Sequence, residues 1–239
     1  MILSVQMYSL RAEVEKEGLD KVLRSVRASG FDGVELAGTY GLSAAELRKK
    51  LDDNGLTVTS AHVSWNLLTD DLGACVADAE ALGYKDIICP GIWGDAIKAP
   101  DIFDSVNRVA AGIPEGFRFG YHNHAHEFEG GDFLKGLYDN VPSVMFEPDT
   151  FWLKVAGKDV IKYCETLNPR IMALHLKELS ANGKDDYNPI PGKGVTGCED
   201  VVKLARKLGH EYIVLEAEKL GIPYAEYLEQ TARFVNSVK

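Results

Sequence analysis

Eight times along the chain, a short run of apolar or β-branched residues is followed by a segment with the polar/apolar spacing of a helix. The runs begin near Met1, Phe31, Leu56, Tyr84, Phe117, Val144, Ile171 and Tyr212. Strands that alternate with helices pair in parallel, because a parallel neighbour is reached only through a crossover long enough to hold a helix. Helices then cover the sheet, and ILSVQM, VTSAHV, DIIC and YIVL read as the largely apolar strands of such a sheet. Eight units in 239 residues predict one α/β domain over residues 1–239, a single (β/α)8 TIM barrel, for which about 250 residues is typical. A doubly wound sheet would carry a glycine-rich phosphate turn after its first strand, and Met7-Tyr8-Ser9-Leu10-Arg11 holds no glycine.

Helix punctuation agrees with this division. Ser43-Ala44-Ala45-Glu46 is a capping box, and Gly55, Gly83 and Gly209 stand where left-handed C-terminal caps are expected. Pro100 and Pro223 suit first-turn positions. Val201, Val202, Leu204, Ala205 and Leu208 follow the i, i+3, i+4, i+7 spacing of an amphipathic helix. The longest irregular stretch, Ser180 to Gly197, falls after the seventh strand and is expected to be a lid or substrate loop.

Charge and cysteine usage narrow the partners. Lys and Arg number 26 against 36 Asp and Glu, a net charge of −10, and no basic run exceeds Arg48-Lys49-Lys50, which argues against binding a nucleic-acid backbone. Cys75, Cys89, Cys164 and Cys198 lie far apart without a C-x-x-C, so neither a disulfide framework nor a zinc ribbon is suggested and a reducing cytoplasm is expected. The first residues lack the charged region and cleavage site of a signal peptide, and no apolar run approaches about 18 residues, so neither export nor a membrane partner is expected.

A TIM barrel carries its active site at the C-terminal ends of its strands. Polar residues gather there: Gln6, Ser9 and Arg11 after strand one, Glu35 on strand two, His62 on strand three, and Tyr121-His122-Asn123-His124-Ala125-His126-Glu127 on and after strand five. Strand six ends in Glu147-Pro148-Asp149-Thr150-Phe151-Trp152, strand seven in His175-Leu176-Lys177-Glu178, and strand eight in Glu216-Ala217-Glu218. Asp149, His175 and Glu216 form the sharpest set, since each closes an apolar run and would point into the barrel mouth. Two carboxylates and an imidazole suit one divalent cation, Mn²⁺ foremost, with Zn²⁺, Co²⁺ or Mg²⁺ compatible.

At these residues the chain resembles the sugar phosphate isomerase/epimerase superfamily with its xylose isomerase-like TIM barrel. VQMYSLR, GFDGVELAG, GYHNHAHEF, EPDTFWLKVAG, ALHLKEL, PGKG and VLEAE carry the resemblance in order along the whole chain. The resemblance implies one metal held by Glu, Asp, His and Glu from strands five to eight, of which the last three fall on Asp149, His175 and Glu216. The strand-five position departs, because His122 precedes Asn123 where the family usually has glutamate. Either His122 takes the ligand place, or Glu127 reaches the metal, or three protein ligands share it with more water.

The implied activity is metal-dependent isomerisation or epimerisation of a sugar or sugar derivative, by proton abstraction next to a carbonyl through an enediolate. Glu216 would be one base, with His122 or Glu127 on the opposite face, since imidazole is a competent acid/base near neutrality. Loss of the usual glutamate keeps a lyase or dehydratase, β-eliminating from an oxo-sugar or oxo-glycoside, as the rival reading. Lys177, on the same strand face as His175, would hold a carbonyl oxygen or pair with Asp149. Glu35, His62, His124, Trp152 and Arg11 are the expected substrate contacts, while Lys193 reads as solvated surface charge. The expected partner is a small carbohydrate, and self-association is left open. An endonuclease IV-like activity would need a richer metal set and a basic face, which six histidines and a net charge of −10 do not supply.

Overall fold

The computed structural model describes residues 1–239. Its strands are β1 (Ile2–Gln6), β2 (Gly33–Leu36), β3 (Thr57–His62), β4 (Asp86–Cys89), β5 (Arg118–His122), β6 (Met145–Glu147), β7 (His175–Leu176) and β8 (Tyr212–Leu215). Seven begin within two residues of the runs read from the sequence. All are parallel, in the order β6-β5-β4-β3-β2-β1-β8-β7, with 11 α-helices outside them. The chain therefore folds as a (β/α)8 barrel in which some crossovers hold two helices.

The barrel closes between β6 and β7 through a seam rather than a ladder. Isolated bridges join Phe146 to Ile171 and Asp149 to His175, and Met172 N–H donates to Phe146 O at 2.8 Å. The run from Ile171 thus becomes a strand only at His175, since Pro148 has no N–H to extend the pairing.

Two cores result. The larger lies between the outward strand faces and the helices, where Val5, Val34, Ile87, Phe146 and Leu215 meet residues such as Leu47, Val106 and Val201. Inside the barrel, alternate residues are mostly polar above a small apolar plug of Ile88, Met172, Ala173, Tyr212 and Val214. Gly120 makes room for that plug, because a Cβ there would stand 2.3 Å from the Met172 sulfur. Below the plug Arg118 grips Asp86 with two 2.6 Å hydrogen bonds. Above it Glu35 accepts from Gln6 at 2.7 Å and Ser60 at 2.6 Å, and over this layer the barrel opens to the site.

The caps behave as their chemistry requires. Ser43 and Glu46 form the reciprocal capping box of helix Ala44–Asp53, and Gly83 and Gly209 end their helices in the left-handed region. Pro223 stands one place earlier than expected, as the N-cap of helix Tyr224–Ser237, and Pro100 lies outside helix Ile102–Gly112, whose N-cap is Asp101. The Ser180–Gly197 stretch is irregular but internally tied: buried Glu178 accepts from the backbone N–H groups of Gly192 at 2.7 Å and Thr196 at 2.8 Å. No helix is long and apolar enough to cross a membrane.

Candidate metal centre

Strand pleating puts residues i and i+2 on one face, and at the C-terminal ends of the last three strands, or just past them, such a polar pair continues the alternation. Glu147 and Asp149, His175 and Lys177, and Glu216 and Glu218 all point inward at the barrel mouth, joined by His122 from β5 and His62 from β3. Asp149 is fixed by local chain logic: its N–H donates to Asn123 Oδ1 at 3.1 Å, and its Oδ1 caps helix Thr150–Val155 by accepting from Trp152 N–H at 3.1 Å. Oδ2 is left free to face the barrel axis.

Four ligand atoms converge there, from His122, Asp149, His175 and Glu216. His122 Nε2 lies 3.5 Å from Asp149 Oδ2 and 3.8 Å from Glu216 Oε2, and His175 Nδ1 lies 3.1 Å from Glu216 Oε2. Ligands about 2.0–2.2 Å from a tetrahedral ion stand roughly 3.3–3.6 Å apart, a range that these separations of 3.1, 3.5 and 3.8 Å straddle. Asp149 Oδ2 and both ring nitrogens of His122 are buried without a hydrogen-bond partner. Burying such atoms unpaired is costly, and a cation that takes one lone pair from Asp149 Oδ2 and one from His122 Nε2 removes the cost at those two atoms.

The layer beneath orients this set. His175 Nε2 is 2.8 Å from Glu35 Oε1 and 3.1 Å from Glu147 Oε2, so its Nε2–H points down and Nδ1 is presented upward. His62 contacts Glu147 at 2.9 Å and stacks over the His175 ring at 5.4 Å. Lys177 is fully buried, with Nζ 2.7 Å from Glu218, 3.4 Å from Glu216 and 3.6 Å from Asp149.

Burial and charge divide the titrating groups. Burial would raise Glu216, but Lys177, His175 and His122 outweigh it and hold the carboxyl well below its usual value. Asp149, where burial prevails over Lys177, is raised to about 6. Burial with neighbouring His175 and His62 keeps His122 neutral far into acid, while burial depresses His124 to about 2. For His175 burial pulls down, but Glu147 and Glu35 more than reverse it and the ring is held protonated. Burial lowers Lys177 too, yet Glu216 and Asp149 raise it overall and keep it an ammonium.

A cavity of about 700 Å³ opens above the set and is lined in part by His62, His122, His124, Trp152 and Glu216. Other residues expected in the site lie apart. Glu127 turns away from the axis, accepting from Tyr121 Oη at 3.0 Å and from His124 N–H at 2.8 Å, and groups instead with His124 and His126. Glu35 is sealed below the metal set, out of reach of a hydroxyl in the cavity. Arg11 is exposed, with its guanidinium 4.0 Å over the Tyr8 ring, and does not line the cavity. Lys193 reaches Gln230 on the surface. Glu147, Glu218 and Trp93 belong to the site without having been singled out. The i, i+2 spacing from Asp149 and Glu216 was the available signal for the two glutamates, whereas nothing local marked Trp93.

The profile of the xylose isomerase-like TIM barrel family matches residues 23–238. The chain belongs to that family. Among solved members of similar fold, a sugar phosphate isomerase/epimerase from Parabacteroides distasonis ATCC 8503 superposes with a TM-score of 0.80 at 26% identity over 100% of both chains. A probable 3-DHS dehydratase from Bacillus anthracis superposes at 0.78 with 15% identity over 100% of both chains. A D-psicose 3-epimerase superposes at 0.68 with 16% identity over 100% of this chain and 99% of its own. No curated protein matches the chain by sequence. The xylose isomerase-like barrel thus accommodates isomerase, epimerase and dehydratase names on one scaffold, and the site must decide among them.

Proposed function

We propose that the chain is a divalent-metal-dependent enzyme that isomerises or epimerises a sugar or sugar derivative by moving a proton next to a carbonyl. The observation that carries this reading is the convergence of unpartnered His122 and Asp149 atoms with His175 and Glu216 directly beneath a cavity that His122 and Glu216 line. These four residues would hold the cation, and His122 takes the strand-five place. The mixed oxygen and nitrogen donors are compatible with Mn²⁺, Zn²⁺, Co²⁺ or Mg²⁺, of which Mn²⁺ is the ion we propose. Such an ion supplies Lewis-acid stabilisation of the negative charge that develops as a carbon-bound proton leaves.

The side chains divide the remaining work. Glu216 is held ionised and reaches the cavity, so it is placed to accept the substrate proton. Lys177, buried beneath the cavity, keeps a permanent ammonium beside Glu216 and Asp149 and acts by positioning those carboxylates and holding Glu216 ionised. His124 Nδ1 and Trp152 Nε1 are buried without partners at the cavity wall and can bond sugar hydroxyls, with His62 beside them. Glu127 is left out of proton transfer, because its carboxylate is committed to Tyr121 and the His124 backbone.

One observation favours the rival lyase or dehydratase reading. His122, 3.8 Å from Glu216, is an imidazole where a two-base site would place a second glutamate, and elimination needs a single base where epimerisation needs two. Deuterium tracing separates the two: in D₂O the metal-loaded protein should place deuterium in an isomer of unchanged formula, whereas elimination releases water or an aglycone. Asp149→Ala and Glu216→Ala should abolish both bound metal, read by elemental analysis, and exchange. A metal-loaded wild type that exchanges no C–H proton on oxo-sugars or oxo-glycosides overturns both readings.

A further inference from the structure

Large apolar side chains are unevenly spread over the surface. Seven are exposed, and six of them, all but Met1, sit on segments that follow strand C-terminal ends: Tyr8, Leu67, Trp93, Tyr187, Val195 and Ile222. Scattered exposed apolar residues need no explanation, but a collar confined to the active-site end does. Tyr8, Leu67 and Trp93 line the metal-centre cavity itself while 48%, 56% and 55% exposed. The Trp93 ring is held in place by stacking on His126, 4.2 Å between centroids.

The polar groups on the same wall do not suit a phosphate. Lys184 and Lys219 are the cations lining the cavity, and Asp185 occupies both, its carboxylate 3.0 Å from Lys184 Nζ and its backbone oxygen 2.9 Å from Lys219 Nζ. Glu216, Glu218 and Asp185 add negative charge, and no arginine lines the wall to offer the bidentate fork that favours phosphate. The volume, about 700 Å³, lies within the range of roughly 300–1,000 Å³ that encloses ligands of drug size, beyond the needs of one sugar ring.

Building on the sugar-directed reading above, we infer that the substrate is an unphosphorylated sugar carrying an apolar, ring-sized substituent. The sugar sits over His122 and Glu216, above the buried Asp149 and His175, and the substituent lies on Tyr8, Leu67 and Trp93.

Calorimetric titration of the Mn²⁺-loaded protein tests this without turnover, using phenyl and methyl glycosides and sugar 6-phosphates in the gluco and galacto series. The phenyl glycoside of at least one series should bind about tenfold or more tighter than its methyl counterpart, the gain expected from covering one aromatic ring. The double variant Leu67→Ala, Trp93→Ala should erase most of that ratio, and the 6-phosphate should bind no tighter than the parent sugar. Equal phenyl and methyl affinities, no measurable binding of either, or a tenfold preference for phosphate overturns the inference. So does a dimer that the double variant splits while no phenyl preference exists, since the collar would then be a contact between copies. A phenyl preference that persists in a protein unable to exchange C–H protons would sink the proposed chemistry alone.

Discussion

Glu35 on β2 lies 2.8 Å from Nε2 of His175 on β7, reaching across the barrel interior beneath the metal centre. The contact fixes which ring nitrogen faces upward, and Gln6 and Ser60 in turn hold Glu35. Partners of this kind typically contribute about 10–100-fold in metal affinity. Glu35→Gln should therefore weaken Mn²⁺ binding by about that factor with an unchanged circular dichroism spectrum. Equal affinity in the variant would remove the orienting role.

Metal affinity should rise with pH. In the metal-free chain His175 carries protons on both ring nitrogens, and Asp149 ionises only near pH 6. A cation needs a bare Nδ1 and a carboxylate, so binding expels protons, and affinity falls as pH drops through about 6. Titrations in two buffers of different ionisation enthalpy should report net proton release, and identical heats in both would contradict this.

Lys177→Met should separate metal binding from turnover. Nζ sits among Glu216, Glu218 and Asp149 but is not a ligand, and its removal leaves their negative charge to the cation alone. Metal content should persist while kcat falls on the order of 10–100-fold, because Glu216 loses the neighbouring ammonium that holds it ionised as a base. Loss of metal from the variant would assign Lys177 a structural role instead.

The loop after β7 should respond as a unit. Glu178 supplies both oxygens to backbone donors at Gly192 and Thr196, and a Cβ at Gly194 would stand 2.2 Å from Leu179 O. Glu178→Ala removes the acceptor of the buried Thr196 N–H and of the Gly192 N–H, and should cost about 1–3 kcal/mol. Urea denaturation reads that loss, and limited proteolysis should place new cleavage between Ser180 and Gly197.

Most of the architecture was legible because strand and helix periodicities alternate cleanly, and the polar residues read at or beyond the apolar runs include Asp149, His175 and Glu216, whose ligand atoms the fold brings together. What escaped was orientation. Glu127 follows β5 in a 3-10 turn, His126–Phe128, so strand parity no longer governs where it points. Glu35 lies one layer too deep to meet substrate, since depth along a barrel axis depends on the stagger between strands rather than on any one strand. Trp93 joins the wall through loop geometry that has no period to read.

The β6–β7 seam gives the metal centre a second meaning. Every other neighbouring pair of strands is laced by a ladder, but this gap is spanned by isolated bridges, one of them between Asp149 and His175. A cation shared by those two residues would act as a clasp on the hoop, so an ion held there for the proposed chemistry would also keep the ring shut. Stripping it should quicken amide exchange first at Phe146, Met172 and His175, whose N–H groups cross the gap, before any other strand loosens.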